Sequence, residues 1–378
     1  MLVNVVNVVN SAQTVADRYR EFSWQQARGR SDAHAELTAR IGQDAEFCDL
    51  LSGSLPAGNA QQPSLLLAAV RYLDGPHAEH GPRDETAYGR WREWTIRHWD
   101  EVRTVIMRRA GRTNDPGHCA TLLPLLARLP QPLALLEVGA SAGLCLRPEL
   151  YHYRYEEASS RPGTRPRAAA CGASGSPVTL TCRTSAAGAG PVPEVPARVP
   201  EIVWRGGVDL DPLDPVADPD DLRWLRALVW PGDGKRAERL SAAVGLARTA
   251  PRPGVVRGDL LDELPALAAE APPGATLVIF HSAALALLPA DRRERFAALV
   301  RSLLAGREGR GHWISQEQHG VLPWITSPAH RAARHPDDAS LTLALDERPL
   351  ALTGPYGESL HWLTEGTSAG TAGQPATG

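Results

Sequence analysis

The chain has 378 residues, of which 43% are hydrophobic and 22% are charged, so it can bury one large core or two ordinary ones. Its 40 basic and 43 acidic residues give a formal net charge of −3, which argues against nucleic acid as a partner. Lys235 is the only lysine, and no GKS or GKT sequence is present. These two features argue against a Schiff-base enzyme and against a P-loop nucleotide hydrolase.

The five cysteines are scattered and no two of them have C-x-x-C spacing, so we expect reduced thiols and no metal site. The amino-terminal sequence MLVNVVNVVNS has no basic segment and is too short and too polar for a signal peptide. No run of about 18 apolar residues occurs elsewhere in the chain. The sequence therefore predicts a cytoplasmic protein that does not associate with membranes.

Residues 12–130 show helical patterns and no alternation with period two. Apolar residues recur at helical spacing over 14–27 and 88–107, and a proline opens an apolar helical run at 63–70. We interpret residues 1–130 as an N-terminal all-helical domain that covers the site and contributes to substrate binding.

The pattern changes after residue 130. Short continuous apolar segments, typical of parallel strands buried on both faces, lie at 133–138, 201–204, 275–280 and 311–315. Helical patterns separate the later ones, at 218–229, 235–248, 260–270 and 290–305. This alternation predicts an α/β domain over 131–363 with a doubly wound, mostly parallel sheet. The tail 364–378 is rich in Gly, Ala and Thr, and we expect it to be disordered.

Two regions depart from this alternation. Residues 151–200 contain a stretch rich in Ala, Gly, Pro and Ser, and we interpret them as an insertion with a hairpin in which 178–182 pairs with 151–155. Near the C-terminus, 341–345 and 359–363 are predicted to form a closing antiparallel pair.

The strongest motif is E-x-G-x-x-x-G, which begins at Glu137 and ends at Gly143. A strand ends in an acid, and the two glycines allow the backbone to turn tightly beside a ligand. Ligands of open α/β sheets bind outside the carboxyl ends of the strands, where this turn lies. We therefore expect a ligand at Glu137, Gly139, Ala140, Ser141 and Gly143. The alternative is an ordinary strand-to-helix turn with no ligand.

This spacing resembles motif I of class I methyltransferases, the turn that holds S-adenosylmethionine, with Ser141 in place of the usual middle glycine. The resemblance implies a Rossmann-like sheet of seven strands that closes with a reversed seventh strand, and S-adenosylmethionine as the cofactor. It also implies that Asp259, or the neighbouring backbone at Leu260, receives the adenine amino group. The alternative for Asp259 is a helix N-cap.

Two more polar residues follow predicted strands. Asp209 comes after the strand at 201–204 and is our candidate for binding the ribose hydroxyls. With Asp211 and Asp214 it alternatively forms a divalent-cation site or a solvated acidic loop. His281 directly follows the strand at 275–280 and is a candidate general base, because an ordinary imidazole has a pKa of about 6.5. The alternative is a hydrogen-bonded structural histidine.

Arg112 and Asn114 lie in a polar loop before the motif and are candidates for substrate binding.

Over about 15–363 the chain resembles the bacterial domain-of-unknown-function family DUF2332. The segments that carry the resemblance are 62–66, 113–114, 137–144, 208–212 and 257–259. The family motif usually continues with Asn where this chain has Cys145, and the family implies no settled reaction.

The favoured hypothesis is a methyltransferase that uses S-adenosylmethionine and acts on a small molecule. A close variant transfers or cyclises the aminocarboxypropyl arm of the same cofactor. An α/β-hydrolase remains open, because Gly139-x-Ser141-x-Gly143 satisfies the nucleophile-elbow pattern with Ser141 as the nucleophile. A non-catalytic ligand-binding module is the alternative from another class. A dinucleotide-dependent enzyme is disfavoured by the glycine spacing.

Overall fold

A computed structural model describes residues 11–77, 85–111, 115–157, 168–186, 195–333 and 340–363. The predicted substrate residues Arg112 and Asn114 lie outside the described residues, as does the predicted tail at 364–378.

The N-terminal part of the chain is helical, as its apolar periodicity predicts. Its α-helices are α1 (Ala12–Glu21), α2 (Asp32–Ile41), α3 (Ala45–Ser54), α4 (Pro63–Tyr72), α5 (Glu85–Arg97), α6 (Trp99–Arg108) and α7 (His118–Leu126). Side chains of Ser11, Ser31 and Asp44 accept hydrogen bonds from first-turn amides and so fix where α1, α2 and α3 begin. The helix predicted over 14–27 is not α-helical throughout, because Phe22–Ala27 forms a π-helix.

The remaining elements build a sheet flanked by helices. The strands are β1 (Leu133–Val138), β2 (His152–Glu157), β3 (Ala168–Gly172), β4 (Thr179–Ala186), β5 (Ile202–Asp209), β6 (Gly254–Arg257), β7 (Thr276–Ser282), β8 (Gly311–Gln318), β9 (Leu341–Leu345), β10 (Arg348–Thr353) and β11 (Ser359–Trp362). The helices are α8 (Pro219–Leu228), α9 (Gly234–Ala247), α10 (Leu260–Glu270), α11 (Ala290–Ala305) and α12 (Pro328–Ala333).

Within the described residues the sheet is mixed and has eleven strands, in the order β3-β2-β4-β11-β10-β9-β8-β7-β1-β5-β6. The expected seven-stranded sheet is therefore not observed. The strands β8, β7, β1, β5 and β6 are parallel neighbours, and the first four correspond to the predicted parallel strands. The sheet grows beyond them because β9, β10 and β11 continue it as an antiparallel meander, to which the inserted strands are added.

The predicted closing pair is wrong, because β10 lies between its two members. Strand β9 pairs with β10, and β10 pairs with β11, both in antiparallel orientation. Pro349 concealed β10 in the sequence, since proline has no amide to donate within a sheet. The ladder accommodates it with a register shift between Pro349 and Ala351.

The insertion differs from the predicted hairpin in a similar way. The segments 151–155 and 178–182 do pair, through β2 and β4, but they run parallel. The antiparallel partner of β2 is β3, and β4 joins the sheet by pairing in parallel with β11. Long-range pairings of this kind leave no local trace in the sequence.

Strand β1 is buried on both faces, which explains its continuous apolar sequence. Leu133 and Leu135 contribute to a core that also includes residues of α1, α3, α4 and α7. Ala134, Leu136 and Val138 face a second core built with α10 and α11. The N-terminal helices and one face of the sheet thus share a continuous core. Among the described helices, none has both the length and the apolar character that a membrane crossing requires.

The loop between β10 and β11 contacts the start of α7 backbone to backbone. Gly357 has a φ of +75°, and a Cβ placed on it would overlap the carbonyl group of Gly117. A Cβ on Gly117 would in turn overlap the carbonyl oxygen of Tyr356. Two glycines therefore allow this loop to lie against α7, and the close contact fixes the position of Tyr356.

The substitution Gly357→Ala should destabilise the protein more than its positive φ alone explains. Gly309 provides a matched control, because it has a φ of +80° and a Cβ placed on it would have no atom within 4 Å. We expect Gly309→Ala to cost about 1 kcal/mol and Gly357→Ala at least about 2 kcal/mol more, measured by urea unfolding. Equal costs would contradict the close contact.

Candidate functional site

A cleft of about 440 Å³ opens at the carboxyl ends of the central parallel strands. Glu137 and Gly139 line it from the end of β1, Ser282 from the end of β7, and Gln318 from the end of β8. The chain passes from β1 to β5 and β6 on one side, and later to β7 and β8 on the other. The cleft therefore lies at the point where the strand order reverses, which is the usual ligand site of open α/β sheets.

The N-terminal helices and two later loops complete the cleft. Phe22 and Gln26 belong to the π-helix and Arg30 follows it, so the irregular turn presents two lining residues and the segment after it a third. π-Helical turns are rare and occur frequently at functional sites. The other lining residues outside the strands include Gln62, Ser64, His118, Leu228, Trp230, Pro355 and Tyr356.

The turn after β1 has an unusual backbone. Gly139, Ser141 and Gly143 have φ values of 76°, 46° and 63°, a region that glycine adopts freely and serine rarely. Asp209 stabilises the turn, because its Oδ2 accepts a hydrogen bond from the Ser141 amide at 2.9 Å. The carbonyl of Ser141 accepts from the Leu213 amide at 3.1 Å. The loop after β5 thus holds the turn on both sides of Ser141.

Four backbone amides of this turn donate hydrogen bonds within the protein. Those of Gly139 and Ala140 donate to the carbonyl of Val208, that of Ser141 to Asp209, and that of Gly143 to the carbonyl of Ala140. The expected α-helix does not follow either, since the chain enters 3₁₀ turns at Leu144–Leu146 and Pro148–Leu150. These four amides are therefore not available to a phosphate group, and no α-helix begins directly after the turn.

Asp209 is buried and does not line the cleft. Its Oδ1 accepts from the Asp211 amide at 2.8 Å while its Oδ2 holds Ser141. The observed role of Asp209 is to position the turn, and its contact with a ribose stays a prediction. Asp211 is paired with Arg257, and Asp214 is paired with Arg252. Among the described residues, no group of three or more potential ligand side chains could hold a metal ion.

Asp259 is the N-cap of α10, the alternative left open by the sequence. Its Oδ1 accepts from the Leu261 amide at 2.9 Å, and Arg292 donates to both carboxylate oxygens. Leu260 is the first residue of the helix. Neither Asp259 nor Leu260 lines the cleft, so adenine recognition by them also stays a prediction.

His281 is fully buried and does not line the cleft. Trp313 Nε1 donates to its Nε2 at 3.0 Å, so the proton is on Nδ1, which donates to Glu317 Oε1 at 2.8 Å. Both ring nitrogens are engaged, and the ring packs edge-on against Phe296. This placement supports the structural alternative for His281 and does not favour direct contact with a substrate.

His118 is the histidine that lines the cleft, and the sequence analysis did not single it out. It is 6% exposed, and within the described part of the chain its buried Nδ1 has no hydrogen-bond partner. Burial lowers the pKa of His118 below its ordinary value, although nearby Asp115 opposes the shift. The imidazole is therefore neutral near pH 7 and can accept a proton. Its one signal in the sequence was its position at the start of a buried helix that precedes β1.

A buried ion cluster supports this side of the cleft. Asp115 accepts hydrogen bonds from Arg236 at 2.8 Å and from Arg239 at 3.0 Å. The Arg236 guanidinium also lies over the ring of Tyr356, 3.6 Å from its centroid. Because Tyr356 and His118 both line the cleft, the cluster connects α9 to the groups that face a ligand.

The substitution Asp115→Asn should destabilise the protein and alter its acid denaturation. Burial raises the pKa of Asp115, but Arg239 and Arg236 outweigh it and hold the pKa well below its usual range. The stabilisation is therefore present above about pH 4 and is lost as the pH falls towards the folded-state pKa. We expect the variant to lose about 3–5 kcal/mol of its free energy of unfolding at pH 7. Below pH 4 its free energy of unfolding should fall less steeply than that of the wild-type protein.

Urea unfolding between pH 2 and pH 7 measures this effect. The control is Asp17→Asn, which removes the exposed pair with Arg20 and should cost less than about 1 kcal/mol at any pH. If Asp115→Asn behaved like this control, Asp115 would not hold the cluster together.

The fold and cleft define an α/β protein with a mixed sheet and a ligand-sized cavity at the ends of its parallel strands. Residues 16–362 match the model of a family described as "Uncharacterized protein conserved in bacteria (DUF2332)". The chain belongs to this family, and the match covers both the N-terminal helices and the sheet. No curated protein and no solved structure gave a significant match.

Proposed function

We propose that the protein binds S-adenosylmethionine in the cleft and transfers its methyl group to a small molecule. The observation that carries this proposal is the position of the cleft, which lies where the strand order reverses and has Glu137 and Gly139 in its wall. Its volume of about 440 Å³ is within the range of small-molecule sites.

The chemistry of the turn favours a cofactor without phosphate groups. Gly139, Ala140, Ser141 and Gly143 use their amides within the protein, and no α-helix begins behind them. A dinucleotide needs such amides and a helix N-terminus for its pyrophosphate. S-Adenosylmethionine has no phosphate, so a turn that presents side chains and a close backbone suits it better.

Glu137 and Gly139 would contact the cofactor. Glu137 lines the cleft, and a carboxylate, as an acceptor, suits the cofactor's amino group. Gly139 brings the backbone to the cleft without a side chain in the way. When bound, S-adenosylmethionine supplies an electrophilic methyl group on a sulfonium, and transfer is an in-line displacement that depends mainly on alignment.

His118 would accept a proton from an acceptor that must lose one before or during methyl transfer. It lines the cleft, whereas His281 does not line it and has both ring nitrogens hydrogen-bonded. The general-base role predicted for His281 thus moves to His118 in this proposal. Aminocarboxypropyl transfer or cyclisation would use the same cofactor site.

Hydrolysis through Ser141 is the weaker alternative. Ser141 is buried and does not line the cleft, and its backbone amide donates a hydrogen bond to Asp209. A nucleophile elbow requires an exposed hydroxyl at the head of a helix, and the turn here leads into 3₁₀ turns.

A non-catalytic ligand-binding module would use the same cleft without His118. We further propose a reducing cytoplasm as the location, because all five cysteines are buried free thiols.

The imidazole of His118 should titrate below about 6.5 in the free protein, because its burial disfavours the charged form. Proton NMR of the histidine ring signals measures this, with His118→Gln used to assign the resonance. Titration at or above 6.5 would contradict the proposed base.

Calorimetric titration with S-adenosylmethionine and S-adenosylhomocysteine tests the cofactor site. We expect 1:1 binding with micromolar affinity, weakened at least about a hundredfold by Gly139→Arg, because the arginine occupies the cleft. Gly309→Arg is the control: Gly309 also has a positive φ but lies in the loop before β8, at the opposite end of that strand.

NADH serves as the phosphate-containing comparison and should not bind. Absence of binding by both sulfur compounds would overturn the proposal. Tight binding of NADH that Gly139→Arg abolishes would favour the dinucleotide alternative instead.

A further inference from the structure

A second cavity, of about 360 Å³, adjoins the main cleft. Arg30 and Pro355 line both of them, so the two spaces meet at these residues. Most of the other described walls come from the end of β10, the loop that follows it and the strand β11. A ligand in the second cavity can therefore extend past Arg30 into the main cleft.

The described walls of the second cavity carry one permanently positive and one negative side chain, Arg30 and Glu358. Both residues are exposed, and neither forms an ion pair with another described residue. The third titratable residue of these walls is His361, whose Nδ1 is hydrogen-bonded to Ser185 Oγ at 2.8 Å. A ligand with one charged group of each sign complements this pair of charges better than a ligand with a single charge.

The loop between β10 and β11 holds the Glu358 carboxylate in place. Its Oε2 accepts a hydrogen bond from the Tyr356 amide at 2.9 Å, and a Cβ placed on Gly354 would lie 2.4 Å from the carboxyl carbon. The close contact between Gly357 and Gly117 fixes the same loop against α7. A carboxylate accepts hydrogen bonds and an ammonium group donates them, so Glu358 suits the positive end of a ligand.

Arg30 suits the negative end of the same ligand. Its amide donates to the carbonyl of Ala27 at 3.0 Å, in the turn that follows the π-helix. A guanidinium binds a carboxylate through two parallel hydrogen bonds. Phe22 of the π-helix and Trp230 line the main cleft, with 5.5 Å between their ring centroids. A ligand that extends past Arg30 therefore enters a space with aromatic walls.

We propose that the second cavity binds an α-amino acid with an aromatic side chain. Its carboxylate pairs with Arg30, its ammonium group pairs with Glu358, and its ring extends towards Phe22 and Trp230 in the main cleft. The inference rests on the proposed function only in giving this amino acid the role of the methyl acceptor.

The second cavity also lies near the proposed base. Burial lowers the pKa of His118, and the charges of Asp115 and Glu358 oppose this shift. Glu358 is thus close enough to His118 to influence it, and His118 itself lines the main cleft. An amino acid held by Glu358 would be next to the space assigned to methyl transfer.

Phenylalanine, phenethylamine and 3-phenylpropionate are the probes, because they share a ring and differ in their charged groups. Calorimetric titration of the full chain, without and with S-adenosylhomocysteine, should show saturable 1:1 binding of phenylalanine. We expect each of the two analogues to bind at least about tenfold more weakly, because each lacks one of the charge-assisted hydrogen bonds.

Two substitutions separate the contributions of the two charges. Arg30→Ala should weaken phenylalanine at least about tenfold and leave phenethylamine within about threefold, since phenethylamine has no carboxylate. Glu358→Gln keeps an acceptor for the Tyr356 amide. It should weaken phenylalanine to a similar extent and leave 3-phenylpropionate within about threefold, since that probe has no amine.

Arg28→Ala and Glu270→Gln are the matched controls and should change none of the affinities. The Arg28 guanidinium lies over the ring of Trp24, 4.1 Å from its centroid, and Glu270 is the last residue of α10. Neither residue lines the second cavity or the main cleft. Because all four substituted side chains are exposed, every variant should unfold at the wild-type temperature, which circular dichroism checks.

Three results would overturn the proposal. The first is the absence of saturable phenylalanine binding, whether or not S-adenosylhomocysteine is present. The second is an equal affinity of the wild-type chain for the three probes. The third is an equal loss of phenylalanine and phenethylamine affinity in Arg30→Ala.

The same titrations separate this inference from the proposed function. Binding of S-adenosylhomocysteine without binding of phenylalanine would contradict the amino-acid site and leave the cofactor site standing. Binding of phenylalanine with the expected losses, but without binding of S-adenosylhomocysteine, would support the amino-acid site and contradict the proposed methyl transfer.

Discussion

The hydrogen bond from the Ser141 amide to Asp209 fixes the turn after β1, and the rest of the site depends on it. Strands β1 and β5 are parallel neighbours, so an acid at the end of β5 reaches the turn at the end of β1. A serine with positive φ is unfavourable on its own, and this bond offsets the cost. Four amides of the turn donate hydrogen bonds within the protein, so we expect a ligand to contact mainly the side chains around it.

Those side chains come from both parts of the chain. Glu137 lies on the sheet, Phe22 on the π-helix, and His118 on α7, which the Asp115 cluster joins to α9. The shared hydrophobic core holds the N-terminal helices against one face of the sheet. The cleft is thus formed between layers that neither part could provide alone, in agreement with a family match that spans both.

The sequence predicted the positions of helices and strands more reliably than the pairing of the strands. The strands β1, β5, β7 and β8 and the helices α8–α11 were predicted because burial on both faces and helical periodicity are local properties. Strand β10, interrupted by Pro349, was missed, and so was the extension of the sheet. Glu137 and Gly139 were found beside their glycine turn, whereas His118 reaches the cleft through packing that no motif records.

A crystal structure of the protein grown with S-adenosylhomocysteine would show whether the cleft is the cofactor site. We expect one molecule in the cleft between the ends of β1 and β7, with its amino group at Glu137 and its backbone contact at Gly139. The Asp209–Ser141 hydrogen bond should be unchanged by binding. Density for the compound elsewhere, or a turn that rearranges to present its amides to the ligand, would contradict it.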